Sequence, residues 1–376
     1  MSIRFLHTAD LHLGSPLRNF GELARDRRLD FLRTFDRIVN LAIKREVDCL
    51  LIAGDLFDSY NPDAETVGRV QEGFSRLEGR GIRIVLIPGT HDNVVFAENV
   101  YSRFTFPGVT LLAEAEVSAP VRLEIRGVPV WFYGFAFRSD RSAAALASLR
   151  RREGGGIHVG LLHGSLTGNP EWDLRKKDIP FSLADLTGLG LDYLALGHYH
   201  NCACLEVEGR TIACYSGSPE GKKFGENGPR HVLVVEVGEG QAVAERVEVQ
   251  SRVLQELTVD ASLFAELAAL ESELARLSFP DLIARIHLTG AVEEPLDLAN
   301  LAGRLQGRFA WLELLDETDL YDSSQVKRLE REDSIRGLFI RKVHERFERA
   351  DSAVERELCR EALKLVIGRF GRGGGA

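Results

Sequence analysis

Short apolar runs recur along the first half of the chain, and several end in a polar tip. Residues 2 to 9 read as a buried strand that runs into Asp10-Leu11-His12. Residues 47 to 53 form a second, ending in Gly54-Asp55. A third, 82 to 87, stops at Pro88-Gly89 and then presents Thr90, His91 and Asp92. Between the first two, residues 25 to 45 place Leu29, Leu32, Phe35, Ile38, Val39 and Ala42 at helical spacing. After a turn over 58 to 63, residues 63 to 78 repeat that period, and another helix is expected over 93 to 103. Strand and helix alternate, which predicts βαβ units around a parallel sheet. Such a sheet presents its chemistry at the carboxyl ends of its strands.

The texture then changes. Segments 121 to 125 and 128 to 135 predict a hairpin around Arg126-Gly127, and 139 to 152 a helix with a basic end. Beyond the break at Gly154-Gly155-Gly156, strand 157 to 162 ends in His163-Gly164. Strand 191 to 196 ends in Gly197-His198-Tyr199-His200, and β segments follow at 203–208, 211–215 and 231–237. The fold class is therefore α/β: two packed sheets covered by helices. From about residue 250 the pattern restarts as strand 253–259, helix 261–276, strand 281–288, helix 296–307 and strand 309–315. This small α/β unit carries no cluster of ligand-type residues, so a capping or substrate-shaping role is expected. Residues 332 to 369 are helical in two amphipathic pieces, suited to packing on their own protein or to docking a partner helix. The division is a catalytic domain over 1–250, a cap over 251–325 and a helical segment over 326–376.

Composition changes this picture little. The 376 residues are 44% hydrophobic and 27% charged, and no apolar run reaches spanning length. Neither a signal peptide nor a transmembrane helix is expected. The net charge of −9 argues against coating nucleic acid by charge alone, but not against an enzyme that acts on it. Five cysteines are too sparse for a disulfide framework and lack zinc-ligand spacing, which points to a reducing cytoplasm. Cys202-Ala203-Cys204 lies beside a histidine pair, yet ordinary strand alternation explains it.

The strand-end residues change it most: Asp10, His12, Asp55, His91, Asp92, His163, His198 and His200. Five of the ten histidines are in this set. One histidine after a strand is incidental; five with three aspartates call for a metal. Oxygen and imidazole donors without thiolate suit manganese, iron or zinc rather than calcium. Asp10 and His12 are two apart, as are His198 and His200, so on extended chain each pair faces one side. Asp55, on a central strand, can bridge two ions. Ions roughly 3.5–4 Å apart clamp both the attacking and the leaving oxygen of a phosphoester. An imidazole at His91, oriented by a carboxylate, suits protonation of the leaving oxygen or stabilisation of charge building on phosphate.

The ordered set Asp10-Leu11-His12, Gly54-Asp55-Leu56-Phe57-Asp58, Gly89-Thr90-His91-Asp92, His163-Gly164 and Gly197-His198-Tyr199-His200 resembles the calcineurin-like metallophosphoesterases. Within them it is similar to the nuclease subunits of double-strand-break repair complexes, the SbcD type. The stretch from Tyr215 through Lys222 and Lys223 is similar to the YhaO-like bacterial branch. The resemblance covers residues 1 to 250 most fully. It implies a two-sheet metallophosphoesterase sandwich, two divalent ions with manganese first among them, and a metal-dependent DNA exonuclease, also able to nick single strands. It implies an SMC-like coiled-coil ATPase subunit as partner and no membrane; a homodimer stays open. By position it implies one ion on Asp10, His12 and His200, the other on His163 and His198, Asp55 as bridge, His91 as catalytic histidine and Asp92 as its orienter. Position 90 departs: the family has an asparagine whose amide oxygen binds the second ion, and Thr90 offers a hydroxyl on a shorter arm. Two further readings are a phosphodiesterase or phosphatase for small nucleotides and a catalytically weakened adaptor for the ATPase. Lys222, Lys223 and Arg138 are candidate phosphate contacts beside the plainer reading of solvated surface charges; Phe57 and Tyr199 read as packing residues.

Overall fold

The computed structural model describes residues 2–137, 142–168, 179–207, 210–238, 240–264, 266–292, 294–320, 323–350 and scattered positions up to 363. Arg138, the start of the helix expected from 139 and most of the last helical piece lie outside the described residues. The chain separates into two compact units, Met1–Gln255 with Asp281–Ile283, and Glu256–Pro280 with Ala284–Ala376.

In the first unit the elements run β1 (Ile3–Thr8), α1 (Ala24–Lys44), β2 (Cys49–Ala53), α2 (Ala64–Glu78), β3 (Arg83–Ile87), α3 (Val100–Arg103) and β4 (Val109–Leu111). They continue with β5 (Val121–Ile125), β6 (Val128–Tyr133), α4 (Ser142–Ser148), β7 (Ile157–His163), β8 (Ser165–Leu166), β9 (Pro180–Phe181), α5 (Leu183–Thr187) and β10 (Tyr193–Gly197). The last are β11 (Ala203–Val207), β12 (Arg210–Tyr215), β13 (His231–Gly238) and β14 (Gln241–Glu248). One six-stranded sheet has the order β14-β13-β1-β2-β3-β4, and the other β11-β12-β10-β7-β6-β5. Strands β1 to β4 are mutually parallel, as are β6, β7, β10 and β12.

The apolar runs do not alternate because both faces of the central strands are buried. Phe5, Leu51, Ala53, Val85 and Ile87 point one way and form a shared core with Phe132, Val159, Leu161 and Ala195 of the second sheet. Leu6, Leu50, Ile52, Ile84 and Leu86 point the other way and are equally buried. Phe35, Ile38, Val39 and Ala42 of α1 are buried as its spacing predicts, whereas Leu29 is exposed. Asp63 caps α2 by accepting from the Thr66 N–H at 2.8 Å. Arg126 and Gly127 both have positive φ, 51° and 75°, as a two-residue type I′ hairpin between β5 and β6 requires.

Three expectations need correction. The helix over 93–103 shrinks to Val100–Arg103. Asn93 and Asn99 hydrogen-bond to nearby backbone there, which competes with helical pairing. Strand β14 was not expected; its Val243 is exposed at a sheet edge. And the cysteines are not all unpaired: Cys204 and Cys214 face each other across β11 and β12 in a disulfide. The hairpin register brings together two residues whose spacing in the chain carries no disulfide signature.

The second unit contains a three-stranded sheet, β15 (Val253–Asp260) to β16 (Leu282–Thr289) to β18 (Trp311–Asp316), with β15 and β16 beginning in the first unit. Helices α6 (Leu267–Leu277) and α7 (Leu298–Arg304) and the short strands β17 (Ala291–Val292) and β19 (Asp319–Leu320) accompany it. Then come α8 (Ser323–Glu330) and α9 (Ile335–Glu348). No helix among the described residues is long and apolar enough to cross a membrane.

Candidate metal centre

Every predicted site residue follows, or in the case of His163 ends, one of five neighbouring strands: β1, β2 and β3 of one sheet, β7 and β10 of the other. The backbone there is unusual. Asp10, His12, Asp55 and His198 have φ of 52°, 46°, 51° and 96°, a region that residues with a Cβ seldom adopt. The expectation that Asp10 and His12 share a face of extended chain is therefore corrected. Left-handed turns aim them, and the tip of β1 is stitched to that of β2. Asp10 N–H donates to the Gly54 carbonyl at 3.1 Å, and His12 N–H to that of Asp55 at 3.0 Å. Close approach explains two glycines. A Cβ at Gly54 would lie 2.3 Å from His163 Nδ1, and one at Gly89 2.2 Å from Asp55 Oδ1.

Three groups of side chains converge, each with its donor atoms within 4.8 Å: Asp10, His12 and His200; Asp10, Asp55 and His163; His12, Asp58 and His91. His12 Nε2 lies 3.2 Å from His200 Nε2 and 3.8 Å from Asp55 Oδ2. His163 Nε2 lies 3.4 Å from the same carboxylate oxygen. Thr90 Oγ1 donates to that oxygen at 3.3 Å, so the departing position sits on the central carboxylate. His198 joins through its backbone N–H, which meets both Asp10 carboxylate oxygens at 3.0 and 3.1 Å. Its ring packs edge-on against His163, with centroids 5.1 Å apart.

The donor set suits a pair of metal ions. Nδ1 of His163 donates to the Ala53 carbonyl at 2.9 Å, Nδ1 of His200 to Glu226 Oε1 at 2.8 Å, and Nδ1 of His12 faces Asp58 Oδ1 at 3.0 Å. With the proton held on Nδ1 in the His163 and His200 rings, their Nε2 lone pairs turn, beside His12 Nε2, toward two buried carboxylates. His163 Nε2 is buried and has no hydrogen-bond partner among the described residues. The Nε2 atoms of His12 and His200, 3.2 Å apart, are close enough to share a proton or to flank a cation. Burial opposes ionisation of Asp55, but His163, His12 and His91 outweigh it and hold its carboxyl well below the ordinary range. Burial likewise opposes a charge on His163, and Asp55 and Asp10 outweigh it, pushing that imidazole up to about 10. The carboxylates thus demand positive charge at the place where Nε2 points.

His91 stands at the rim, its side chain 43% exposed and its ring edge-on to that of His12. The neighbour of His91 Nδ1 is Asp58, through its carbonyl at 3.1 Å and its carboxylate at 3.5 Å. This corrects the expectation for Asp92. Its buried carboxylate turns inward and accepts from the N–H groups of Gly89 (2.7 Å), Leu56 (2.9 Å) and Phe57 (3.3 Å) and from the Tyr101 hydroxyl (2.5 Å). Asp92 ties the tip of β3 to that of β2; Asp58 orients His91. Burial acts against ionised Asp58, yet His12 and Lys222 bring it down to about 2.

Lys222 is half-buried, with its ammonium on Asp58 Oδ1, and Lys223 is exposed. Glu226 carried no signal in the sequence. It is buried, braces His200, and accepts from the Lys222 backbone N–H at 2.7 Å. Asp58 was visible only as the last letter of Gly-Asp-Leu-Phe-Asp. Phe57 and Tyr199 pack against neighbouring aromatic rings, as expected.

Residues 3–202 match the calcineurin-like phosphoesterase family. The chain is 28% identical over 283 residues to the metallophosphoesterase YhaO of Bacillus subtilis, covering 71% of this chain and 65% of YhaO. It is 28% identical over 258 residues to the DNA double-strand break repair protein Mre11 of Methanosarcina acetivorans, covering 65% of this chain and 38% of Mre11. It is 27% identical over 273 residues to the SbcD component of the nuclease SbcCD of Bacillus subtilis, covering 64% of this chain and 67% of SbcD. The chain thus spans under two thirds of the length of YhaO and of that Mre11. Among solved structures, the calcineurin-like phosphoesterase YfkN of Bacillus subtilis aligns with a TM-score of 0.40 at 15% identity, covering 66% of this chain and 91% of that one. With over half its length matched, and carboxylates and imidazoles gathered where strands of both sheets end, the chain belongs to the calcineurin-like phosphoesterases.

Proposed function

We propose that the protein is a dinuclear, metal-dependent DNA exonuclease, able also to nick single strands, that works beside an SMC-like coiled-coil ATPase. Residues 1–250 carry the chemistry, 251–325 cap it, and 326–376 supply a docking segment. Asp10, His12 and His200 would hold one ion and His163 and His198 the other, with Asp55 offering a further carboxylate. The observation that carries this reading is the trio of imidazole Nε2 atoms turned on buried Asp10 and Asp55, with an exposed histidine at the rim. Two divalent ions, manganese first among the candidates, would supply Lewis acidity for phosphodiester cleavage. DNA as substrate is supported by relatives whose names place them in double-strand break repair and in a nuclease. The ATPase follows from the family resemblance of the motifs.

His91 is the general acid. Its Nδ1–H is held by the Asp58 carbonyl, which leaves Nε2 free to protonate the departing oxygen. The Asp58 carboxylate lies 3.5 Å from the same Nδ1. Lys222, paired with Asp58, supplies a cation at the same rim. The test is incubation of the full chain with manganese and end-labelled linear DNA. Metal-dependent shortening that a chelator abolishes is expected. No digestion with any divalent ion sinks the reading, and cleavage confined to small phosphodiesters replaces it with the small-nucleotide one.

Thr90 alone favours the weakened-adaptor reading. Its hydroxyl donates to Asp55 Oδ2 at 3.3 Å. Thr90→Asn is expected to tighten the second ion on the order of tenfold, the size of effect that metal-site partners have. Titration calorimetry with manganese reads this directly. Equal second-site affinity in both proteins would remove the only support for a weakened enzyme.

A further inference from the structure

Four residues beyond His91 the surface turns apolar. Phe96 is 51% exposed, Val95 58% and Tyr60 37%. The Tyr60 and Phe96 rings stack, with centroids 4.4 Å apart and planes within 30°. The loop that carries them is fastened at both ends. Asn93 Nδ2 donates to the Thr90 carbonyl at 2.9 Å, and Val95 N–H to Asn93 Oδ1 at 3.2 Å. Asn99 Nδ2 donates to the Phe96 carbonyl at 2.7 Å, and Val100 N–H to that of Tyr60 at 2.7 Å. So the aromatic pair is held in place although both rings stay partly exposed. The chain also ties it to the metal centre from two sides. Val95 follows His91 by four residues, and Tyr60 follows Asp58 by two. Asp58 and His91 are themselves in contact.

We infer that Tyr60, Phe96 and Val95 form a stacking platform for a nucleobase next to the scissile phosphate of an unpaired strand. The inference rests on the nuclease reading and names the part of the substrate that the metal centre leaves unrecognised. The two rings offer flat, uncharged surface, with Val95 adding apolar contact, which suits the π-face of any base and does nothing for phosphate. A base within a duplex already stacks on its neighbours, so the platform favours single strands and frayed ends. Because the contact ignores base edges, it tolerates every sequence.

The test compares oligo(dA) with a base-free tetrahydrofuran strand of equal length, both with manganese and the full chain. Phe96→Ala is expected to raise KM for oligo(dA) about 5- to 150-fold, the equivalent of one stacked base, and to leave KM for the base-free strand unchanged. Phe96→Trp is expected to restore the wild-type value. Quenching of 2-aminopurine in the bound strand, present in wild type and lost in Phe96→Ala, reads the stacking itself. Equal KM for oligo(dA) in wild type and Phe96→Ala overturns the platform, as does an equal rise on both strands. If the wild type cleaves a small aryl phosphodiester but neither strand, the nuclease reading falls and the platform with it. If it cleaves both strands with one KM, the platform alone falls, and the patch is left to an apolar protein partner.

Discussion

His91→Ala is expected to lower turnover on DNA about 10²- to 10⁴-fold, the contribution of a positioned general acid, and to leave metal content and Tm at wild-type values. The separation follows from where the side chain stands. It is 43% exposed, and its contacts are with Asp58 and the edge of the His12 ring. Its backbone N–H, which holds Asp55 Oδ1 at 2.8 Å, survives the substitution. Asp92→Ala is expected to lower Tm and metal content, although the two residues are adjacent. That carboxylate satisfies three backbone N–H groups and the Tyr101 hydroxyl inside the protein. A buried donor left without a partner costs about 1–3 kcal/mol, so losing four partnerships at once costs several. Asp92 also sets the spacing between the tip that carries Asp55 and the tip that carries Thr90, so metal content falls with stability. Melting curves, metal analysis and single-turnover kinetics on the two variants measure both effects. Wild-type turnover in His91→Ala would remove it as the acid. A wild-type Tm in Asp92→Ala would show that its hydrogen bonds are replaceable.

The same two residues show what a sequence discloses and what it withholds. Strands β1, β2 and β3 were legible because burial on both faces leaves an unbroken apolar run, and a polar tip marks where each run stops. That Asp10, Asp55 and His163 would meet was legible from tip composition, since only a metal reconciles so many strand-end imidazoles and carboxylates. The direction of each side chain was not. Asp10 and His12 were expected to share a face of extended chain, and they converge through left-handed turns, with φ of 52° and 46°, that no spacing encodes. Asp92 follows His91 directly, yet the turn points its carboxylate at the backbone of β2, and the residue that reaches His91 comes from the neighbouring tip. Glu226 lies 26 residues beyond the histidine it braces, in a loop without periodicity. Cys204 and Cys214 pair through strand register, which shifts by a bulge between Leu205 and Glu206. Sequence shows which residue types gather at an edge. Turn geometry and cross-strand register decide which of them touch.

Arg27→Ala is expected to destabilise the protein by about 3–5 kcal/mol and to weaken metal binding, though Arg27 is not a metal ligand. The side chain is fully buried. Its guanidinium donates to Asp30 Oδ2 at 2.9 Å and to the Gly221 carbonyl at 2.8 Å, and it pairs with Glu220 Oε1 at 2.8 Å. Phe20 and Phe31 flank it at 5.4 and 5.7 Å. Glu220 in turn accepts from Thr34 Oγ1 and from the Ser251 N–H, both at 2.6 Å. Removing the arginine strands Glu220 without its cation and leaves Asp30 to Arg33 and Arg252, which approach it at 3.1 and 3.3 Å. The loss also reaches the metal centre. Gly221, which Arg27 holds by its carbonyl, precedes Lys222 by one residue and Glu226 by five, and Glu226 fixes the His200 ring. A loosened loop relaxes that ring, and weakening an outer partner of a metal-binding histidine costs about 10- to 100-fold in metal affinity. Urea denaturation and manganese titration of Arg27→Ala read the two effects separately. Adding Glu220→Gln is expected to recover part of the stability, because it neutralises the stranded carboxylate, while the loop stays loose and the metal stays weakly held. If Arg27→Ala loses under about 1 kcal/mol, a cost typical of an exposed ion pair, water has entered and solvated the two carboxylates, and the network does not anchor the loop.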